Sequence, residues 1–320
     1  MSESMSEPQG ISRGVYVTYA VFGVLAFALV FFLLRSAGFW SPLSDAGRGA
    51  EDAGRIPVVA TIYPWGYLAE RVGGDLVEVT IVTPPGAEPH DYEPTPRDIV
   101  GAHGARLFLL NGNGIDVWAE RIEPEIARAG AETITFAARA PRIDAGDDPH
   151  VWLDLVFMQD ATALVRDALV RIDPDHTATY RTNADATMSD LQDLDATYRD
   201  GLATCDLHEI VVSHDAFRYL DARYGLTSLA VRGISPVEEP SAKTLAELAD
   251  VIRTKGLDVV FTETFVSPKL SETLAAETGA RTLVLNPIGG LTADELATGE
   301  TYLTVMRANL SNLTDALRCR

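Results

Sequence analysis

"PDHTATYRTNADATMSDLQDLDATYRDGL", residues 174–202, carries Tyr180, Ala184, Met188, Leu191, Asp195, Tyr198 and Leu202 at spacings of three or four. That period sets one side of a helix against a core, and at about 1.5 Å per residue the helix could span a small domain. Short β-rich runs alternate with helical patterns on either side of it. Before it stand "IPVVATIY", "VEVTIVTP", "ARLFLLNG" and "TITFAA"; after it stand "HEIVVSH", "LTSLAVRG", "LDVVFTE" and "RTLVLNP". Apolar strands alternating with helices predict parallel sheets covered on both faces. The expected fold is α/β, with two lobes that each hold a four-stranded, mainly parallel sheet and are joined by one long helix. The lobes are expected over residues 56–173 and 204–320, with the linking helix over 174–203.

Upstream, residues 15–34 read "VYVTYAVFGVLAFALVFFLL", an uncharged apolar run of a length that crosses a bilayer as one helix. The apolar core of a signal peptide is shorter and ends at a small-residue cleavage site, which is not clear here. An uncleaved transmembrane anchor over 15–35, after a tail of residues 1–14, is the reading. Arg13 on one side against Arg35 and Arg48 on the other does not settle its orientation. Residues 36–55, rich in Gly, Ala, Ser and acids without an apolar period, read as a tether.

At 320 residues and 47% hydrophobic, the chain can bury a sizeable core. Its 46 acids against 26 bases, a formal charge of −20, argue against a nucleic-acid partner. A cation suits that charge, and so does a merely solvated acidic surface. Local punctuation is consistent with the elements. Thr95-Pro96-Arg97-Asp98 reads as a helix cap, Ser267-Pro268 as the same device, and Gly225, Gly256 and Gly279 fall where helices should stop.

Of the six histidines, His90, His150 and His214 fall after predicted strands, where open α/β sheets bind ligands. His103, His176 and His208 lie in a helix, at a helix start and before a strand. Three imidazoles from separate loops suit zinc or a related divalent metal and leave one position for an oxygen donor or water. Such a site needs neutral rings. His214 is expected to open the helix "HDAFRYLDARYG", whose positive end disfavours an imidazolium. His90 sits in "PPGAEPHDYEPTPRDI", a stretch with five of the chain's seventeen prolines, which would hold the ring before metal arrives.

"VVATIYPWGYLAERVGGDLVEVTIVTPPGAEPHDYEPTPRDI", "DPHVWLDL", "VVSHDAFRYLDARYGL", "VFTETFVSPKLSETLAAETGARTLVLNPIGGL" and "TYLTVMRANLSNLTDAL", taken together over about residues 56–318, resemble the ZnuA/TroA-like (cluster A-I) metal-binding proteins of zinc and manganese ABC importers. The resemblance implies two α/β lobes on one long helix with metal in the cleft. It also implies His90, His150 and His214 as ligands, and the third imidazole favours Zn²⁺ over Mn²⁺. The sequence departs from the family at the fourth ligand: where the family has Leu-Asp-Pro, this chain has Leu285-Asn286-Pro287. Asn286 offers an amide oxygen without charge, which leaves Glu263 in "VFTET" as the candidate anion, bound directly, through water, or supporting a ligand. Asp154 either orients a ligand ring or caps the next helix. Asp147 and Asp148 either draw cations or form a solvated turn.

Two further family features are missing. The segment near "ARAPRIDAGDD" has no long His-rich loop, and no cysteine stands near the N-terminus for a lipid anchor, a place the residue 15–34 helix would take. Cys205 and Cys319 flank the second lobe without CxxC spacing. They are expected to form a disulfide, worth up to about 4.7 kcal/mol in the chain-entropy model. Such a bond needs an oxidising compartment, so residues after the anchor are expected to face outside the cytoplasm. The "NLS" at Asn309 and "NLT" at Asn312 lie in a predicted terminal helix and are read as coincidental glycosylation motifs.

The expectation is a monomeric, membrane-anchored receptor that captures Zn²⁺ and presents it to an ABC permease. The ATPase would be a separate chain, since no GxxxxGK[ST] occurs here. The rivals are a Mn²⁺-binding protein of the same family, a zinc hydrolase with Glu263 as general base, and an adhesin using metal for stability. The hydrolase lacks an HExxH.

Overall fold

The computed structural model describes residues 54–141, 146 and 148–320. The expected anchor, most of the tether and Asp147 lie outside the described residues. Among those described, no helix is long and apolar enough to cross a membrane.

Each of the eight apolar runs forms a strand. β1 (Ile56–Ala60), β2 (Val77–Ile81), β3 (Leu107–Leu110) and β4 (Glu132–Thr135) build one sheet in the order β2-β1-β3-β4. β5 (Glu209–Val212), β6 (Thr227–Ala230), β7 (Val259–Thr262) and β8 (Arg281–Val284) build a second in the corresponding order β6-β5-β7-β8. Every pairing is parallel. Parallel pairing requires a crossover between neighbouring strands. The helices α1 (Tyr63–Gly73), α2 (Pro96–His103) and α3 (Val117–Arg128) intervene in the first half, and α6 (Arg218–Tyr224), α7 (Ala242–Lys255) and α8 (Lys269–Thr278) in the second. α4 (Leu155–Ile172), α5 (Thr177–Leu202), the short α9 (Ala293–Ala297) and α10 (Tyr302–Ala316) complete the helices of the described residues. The full burial of β3 (LFLL) on both faces is what a central parallel strand demands.

The helix predicted over 174–203 is α5, 26 residues long and preceded by a 3₁₀ turn at Pro174–His176. It buries Tyr180, Ala184, Leu191, Asp195, Tyr198 and Leu202 as the spacing required, together with Thr187 and Leu194. Met188 is only partly buried against the same core. Asp195 is the one acid on that buried face, and the structure shows why it is tolerated. Its carboxylate accepts from Arg223 Nε and Nη2 at 3.0 Å each and from the Tyr224 hydroxyl at 3.0 Å, and it also pairs with Arg199. The long helix is thereby locked to α6 of the second half. Near its other end, Asn183 Nδ2 donates to the Val72 carbonyl of α1 at 3.0 Å.

Helix punctuation holds in part. Thr95 and Asp98 form a reciprocal capping box on α2, and α6, α7 and α8 end on left-handed Gly225, Gly256 and Gly279. Ser267 does not cap α8, whose first turn follows Pro268 without a side-chain cap. α6 starts at Arg218 instead of at His214. The intervening residues are turned out of helical geometry by the Asp215 N–H, which donates to the Gly233 carbonyl at 3.0 Å, and by the Asp215–Arg218 ion pair. A helix-dipole effect on His214 is therefore not available.

Cys205 and Cys319 form the expected disulfide, 114 residues apart in sequence. The backbone joins at the same place, where the Arg320 N–H donates to the Thr204 carbonyl at 3.2 Å.

Burial pushes the Asp195 carboxyl up, and the bonds from Arg223, Tyr224 and Arg199 more than offset that, holding it below its ordinary value. A depressed carboxyl stabilises the fold above its unfolded pKa and loses that contribution as pH falls through the folded one. Asp195→Ala, which removes the shared partner of Arg223, Tyr224 and the more exposed Arg199, should cost about 1–3 kcal/mol in urea unfolding at pH 7. The gap to wild type should narrow below about pH 4; a cost independent of pH would refute this account.

Candidate metal centre

His90, His150 and His214 come together from three loops at the carboxyl ends of the strands. One ring nitrogen from each lies within 4.8 Å of the other two. His90 Nε2 is 3.1 Å from His150 Nε2, which is 3.3 Å from His214 Nε2. In a tetrahedral site with metal–nitrogen bonds of about 2.0–2.1 Å, ligand nitrogens stand about 3.3 Å apart. The rings are already at that spacing.

Each ring is aimed by its neighbours. His90 lies in a 3₁₀ turn, Pro89–Asp91, and its N–H donates to the Glu88 carboxylate at 3.3 Å. His150 donates through its backbone N–H at 3.0 Å and through Nδ1 at 2.7 Å to one oxygen of Asp148. His214 does the same to Glu263, at 3.0 and 2.7 Å. A carboxylate on Nδ1 fixes a proton there, which leaves Nε2 of both rings as the atom that can face a metal. Two lone pairs facing at 3.3 Å repel unless a proton or a metal cation lies between them. Beyond the rings the cavity is about 10 Å³, room for a single ion, with walls that include Ile115, Trp152, Phe265 and Pro287.

Burial, then the other two histidines, pushes His90 down to about 2, and burial holds His150 well below its ordinary value. Burial also lowers His214, but the Glu263 carboxylate outweighs it, leaving that ring raised. Burial raises Asp148 to about 6 and Glu88 to about 7. Two of the three imidazoles are thus neutral and ready for a metal at neutral pH.

Glu263 supports His214 from behind the ring. Asp154 caps α4, accepting from the Val156 N–H at 2.9 Å, and the carboxylate on the His150 ring is Asp148. Asn286 is engaged in its own turn: its amide oxygen accepts from the Ile288 N–H at 2.8 Å and its Nδ2 donates to the Thr264 hydroxyl at 3.1 Å. It is needed there because Ile288, buried and β-branched, adopts a φ of 57°, a costly conformation for such a residue. Asn309 brackets Asn286, accepting from its N–H at 2.9 Å and donating to its carbonyl at 2.7 Å. A side chain so engaged and buried is no glycosylation acceptor as folded.

Two features went unread in the sequence. Glu88-Pro89-His90 and Asp148-Pro149-His150 are the same acid-Pro-His tripeptide, and in both the acid accepts the histidine N–H. Asn111, with Trp65 Nε1 on its Oδ1 at 3.2 Å, donates to the Pro149 carbonyl at 2.9 Å and so steadies the His150 turn.

Two parallel α/β halves that offer three convergent imidazoles at their junction define a metal-binding protein of the solute-receptor class. Residues 58–316 match the family described as zinc-uptake complex component A, periplasmic (ZnuA). The high-affinity zinc uptake system protein ZnuA of Bacillus subtilis is 31% identical over 314 residues, covering 92% of this chain and 97% of that protein. The zinc-binding lipoprotein AdcA of Streptococcus pneumoniae is 32% identical over 277 residues, covering 81% of this chain but 55% of AdcA. The crystal structure of the Zn(II)-bound ZnuA-like domain of that AdcA superposes with a TM-score of 0.74 at 33% identity, over 82% of this chain and 99% of that domain. The laminin-binding protein Lmb of Streptococcus agalactiae, described as having adhesin and metal-transporting activity, gives 0.74 at 29% identity, over 82% of this chain and 99% of Lmb. The chain belongs to the ZnuA family. That family is a binding component of an uptake system and not an enzyme, which sets aside the hydrolase.

Asp148→Asn and Glu263→Gln should each weaken divalent-metal binding by about 10–100-fold, measured against a competing chelator. One Asp148 oxygen is buried without a partner, so Asp148→Asn should not lower the metal-free unfolding midpoint. A parallel loss of stability would mean the carboxylate serves the fold instead.

Proposed function

We propose that this chain captures Zn²⁺ at the junction of its two halves and delivers it to an ABC permease driven by a separate ATPase. The observation that carries this reading is the convergence of three imidazoles, with His150 Nε2 at 3.1 and 3.3 Å from the Nε2 atoms of His90 and His214 and carboxylates on the Nδ1 of His150 and His214. His90, His150 and His214 would supply three ligands. Glu88, which lines the same cavity, would take the fourth position in place of Asn286. Three imidazoles and one carboxylate suit zinc better than manganese, which prefers oxygen donors.

His90 and His150 belong to the first half and His214 to the second, so the metal would tie them together and shift the population towards a transport-competent form. The apolar run at residues 15–34 would anchor the receptor with its binding unit on the extracytoplasmic side, where the Cys205–Cys319 bond is stable. The names of the relatives, a zinc uptake protein and a zinc-binding lipoprotein, support both the metal and the compartment.

Titration of the full chain with Zn²⁺ and Mn²⁺ against a chelator of known affinity should give one tight, reversible Zn²⁺ and weaker Mn²⁺. His214→Ala should weaken Zn²⁺ by about 100-fold or more, the effect of losing one ligand outright. Glu88→Gln should weaken it less. Tighter Mn²⁺ than Zn²⁺, or no loss in His214→Ala, would overturn the assignment.

A further inference from the structure

His90 borders two spaces at once. One is the small cavity between the three rings; the other is a groove of about 530 Å³ on the first half, flanked by Asp91, Tyr92, Glu93, Val117 and Trp118. Ile115 is the other residue common to both, so these two side chains form the partition. His150 and His214 are each 1% exposed, whereas His90 is half-buried. A cation coming along the groove would reach His90 before either of the others.

Both banks of the groove are fixed. On one, the Tyr92 hydroxyl donates to Asp98 at 2.9 Å, and Asp98 is itself locked in the Thr95 capping box. On the other, the loop 111–116 turns sharply through left-handed Gly112, Asn113 and Gly114. Its base is held by the buried Asp116 carboxylate, which accepts from the Thr61 hydroxyl at 2.6 Å and from the N–H groups of Asn111 and Gly112 at 2.7 and 2.8 Å. Asn113 Nδ2 ties the same loop to the Asp148 carbonyl at 3.3 Å. The loop thus presents Ile115, 5% exposed, at a set place beside the metal cavity. In the groove itself Asp91 and Glu93 outnumber Arg121, and the aromatic walls Tyr92 and Trp118 lower the local dielectric, which focuses a negative field along it.

The geometry points to this groove as the passage by which a hydrated divalent cation reaches and leaves the site, with His90 the first nitrogen met and the Ile115 side chain the gate it displaces. The inference rests on the reading above that the three imidazoles hold the metal. The cation exchanges water for His90 Nε2 first, and closure onto His150 and His214 follows once Ile115 has swung aside.

The test is stopped-flow kinetics on the full chain with Zn²⁺ as probe and tryptophan emission as signal, Trp152 lying 5.3 Å from the His150 ring. Val117, 40% exposed at the groove, is changed to cysteine and coupled to a bulky maleimide; the two native cysteines are joined to each other and do not react. The label should slow both capture and release by about tenfold, and Ile115→Ala should accelerate both by a similar factor. The same label on Thr254→Cys, exposed near the amino ends of the second sheet's strands, should change neither rate. If labelled Val117→Cys still binds one Zn²⁺ and its rates move by less than about twofold, the metal travels another way and the passage is refuted. If the unlabelled chain takes up no Zn²⁺, the metal-site reading fails and the passage fails with it.

Discussion

The junction of the two halves is governed by one repeated interaction, a buried carboxylate on the Nδ1 of an imidazole. Asp148 holds His150 in this way and Glu263 holds His214. Each carboxylate also takes the backbone N–H of its histidine, so ring and main chain are fixed by a single group. With a proton placed on Nδ1, the Nε2 atoms have only one another to face. Burial keeps His90 and His150 neutral while Glu263 favours a proton on His214, so without metal the rings crowd together with at most that proton between them, and the surrounding fold must impose the arrangement. A divalent cation would replace that proton and turn the crowding into coordination.

The imposing structure is the contact between halves. Trp152 Nε1 donates to the Pro287 carbonyl at 2.6 Å, and the Tyr302 hydroxyl donates to the Trp152 carbonyl at 2.6 Å. The Gly86 N–H donates to the Leu291 carbonyl at 3.0 Å. A side chain at Gly289 would stand 3.0 Å from the Pro89 ring, one residue from His90. The turn 286–290 of the second half is therefore packed directly on the loop that carries His90. Asp195 performs the equivalent task at the back, where the long helix meets α6. Together these contacts leave little room for the halves to hinge, so metal capture is expected to depend on side-chain and loop movements.

Much of this was legible in the sequence. The eight strands followed from short apolar runs, and the long helix from its three-to-four spacing, because burial on a fixed side is a local pattern. The three histidines that converge stood out through their places after strands. What was not legible were contacts made across the chain. Glu263 and His214 are 49 residues apart, and nothing local distinguishes a carboxylate that faces a metal from one that faces the back of a ring. Asp148 and Asp154 flank His150 on either side, and choosing between them required knowing which way the turn runs. The repeated acid-Pro-His tripeptide was a local signal for that choice, since a proline between acid and histidine folds the acid back onto the histidine N–H. His214 as a helix opener failed for a similar reason: Asp215 finds its partner on the neighbouring loop.

Asn286 looked from the sequence like a loss of charge at the metal. In the structure it is a strut for a strained turn, and the negative charge of the site comes from elsewhere. Asp148 and Glu263 lie behind two of the rings, and Glu88 lies against the cavity beside the third. Carboxylates one ring removed from the metal still compensate its charge, because the imidazole transmits the polarisation and the apolar walls screen little of it. With Asn286 neutral, a Zn²⁺ held here as proposed would meet the Asp148 and Glu263 carboxylates through its ligand rings and Glu88 at the cavity wall. The site would then depend less on any one anionic ligand than a three-histidine, one-aspartate set does, and its affinity would follow how well the two halves keep those carboxylates dry.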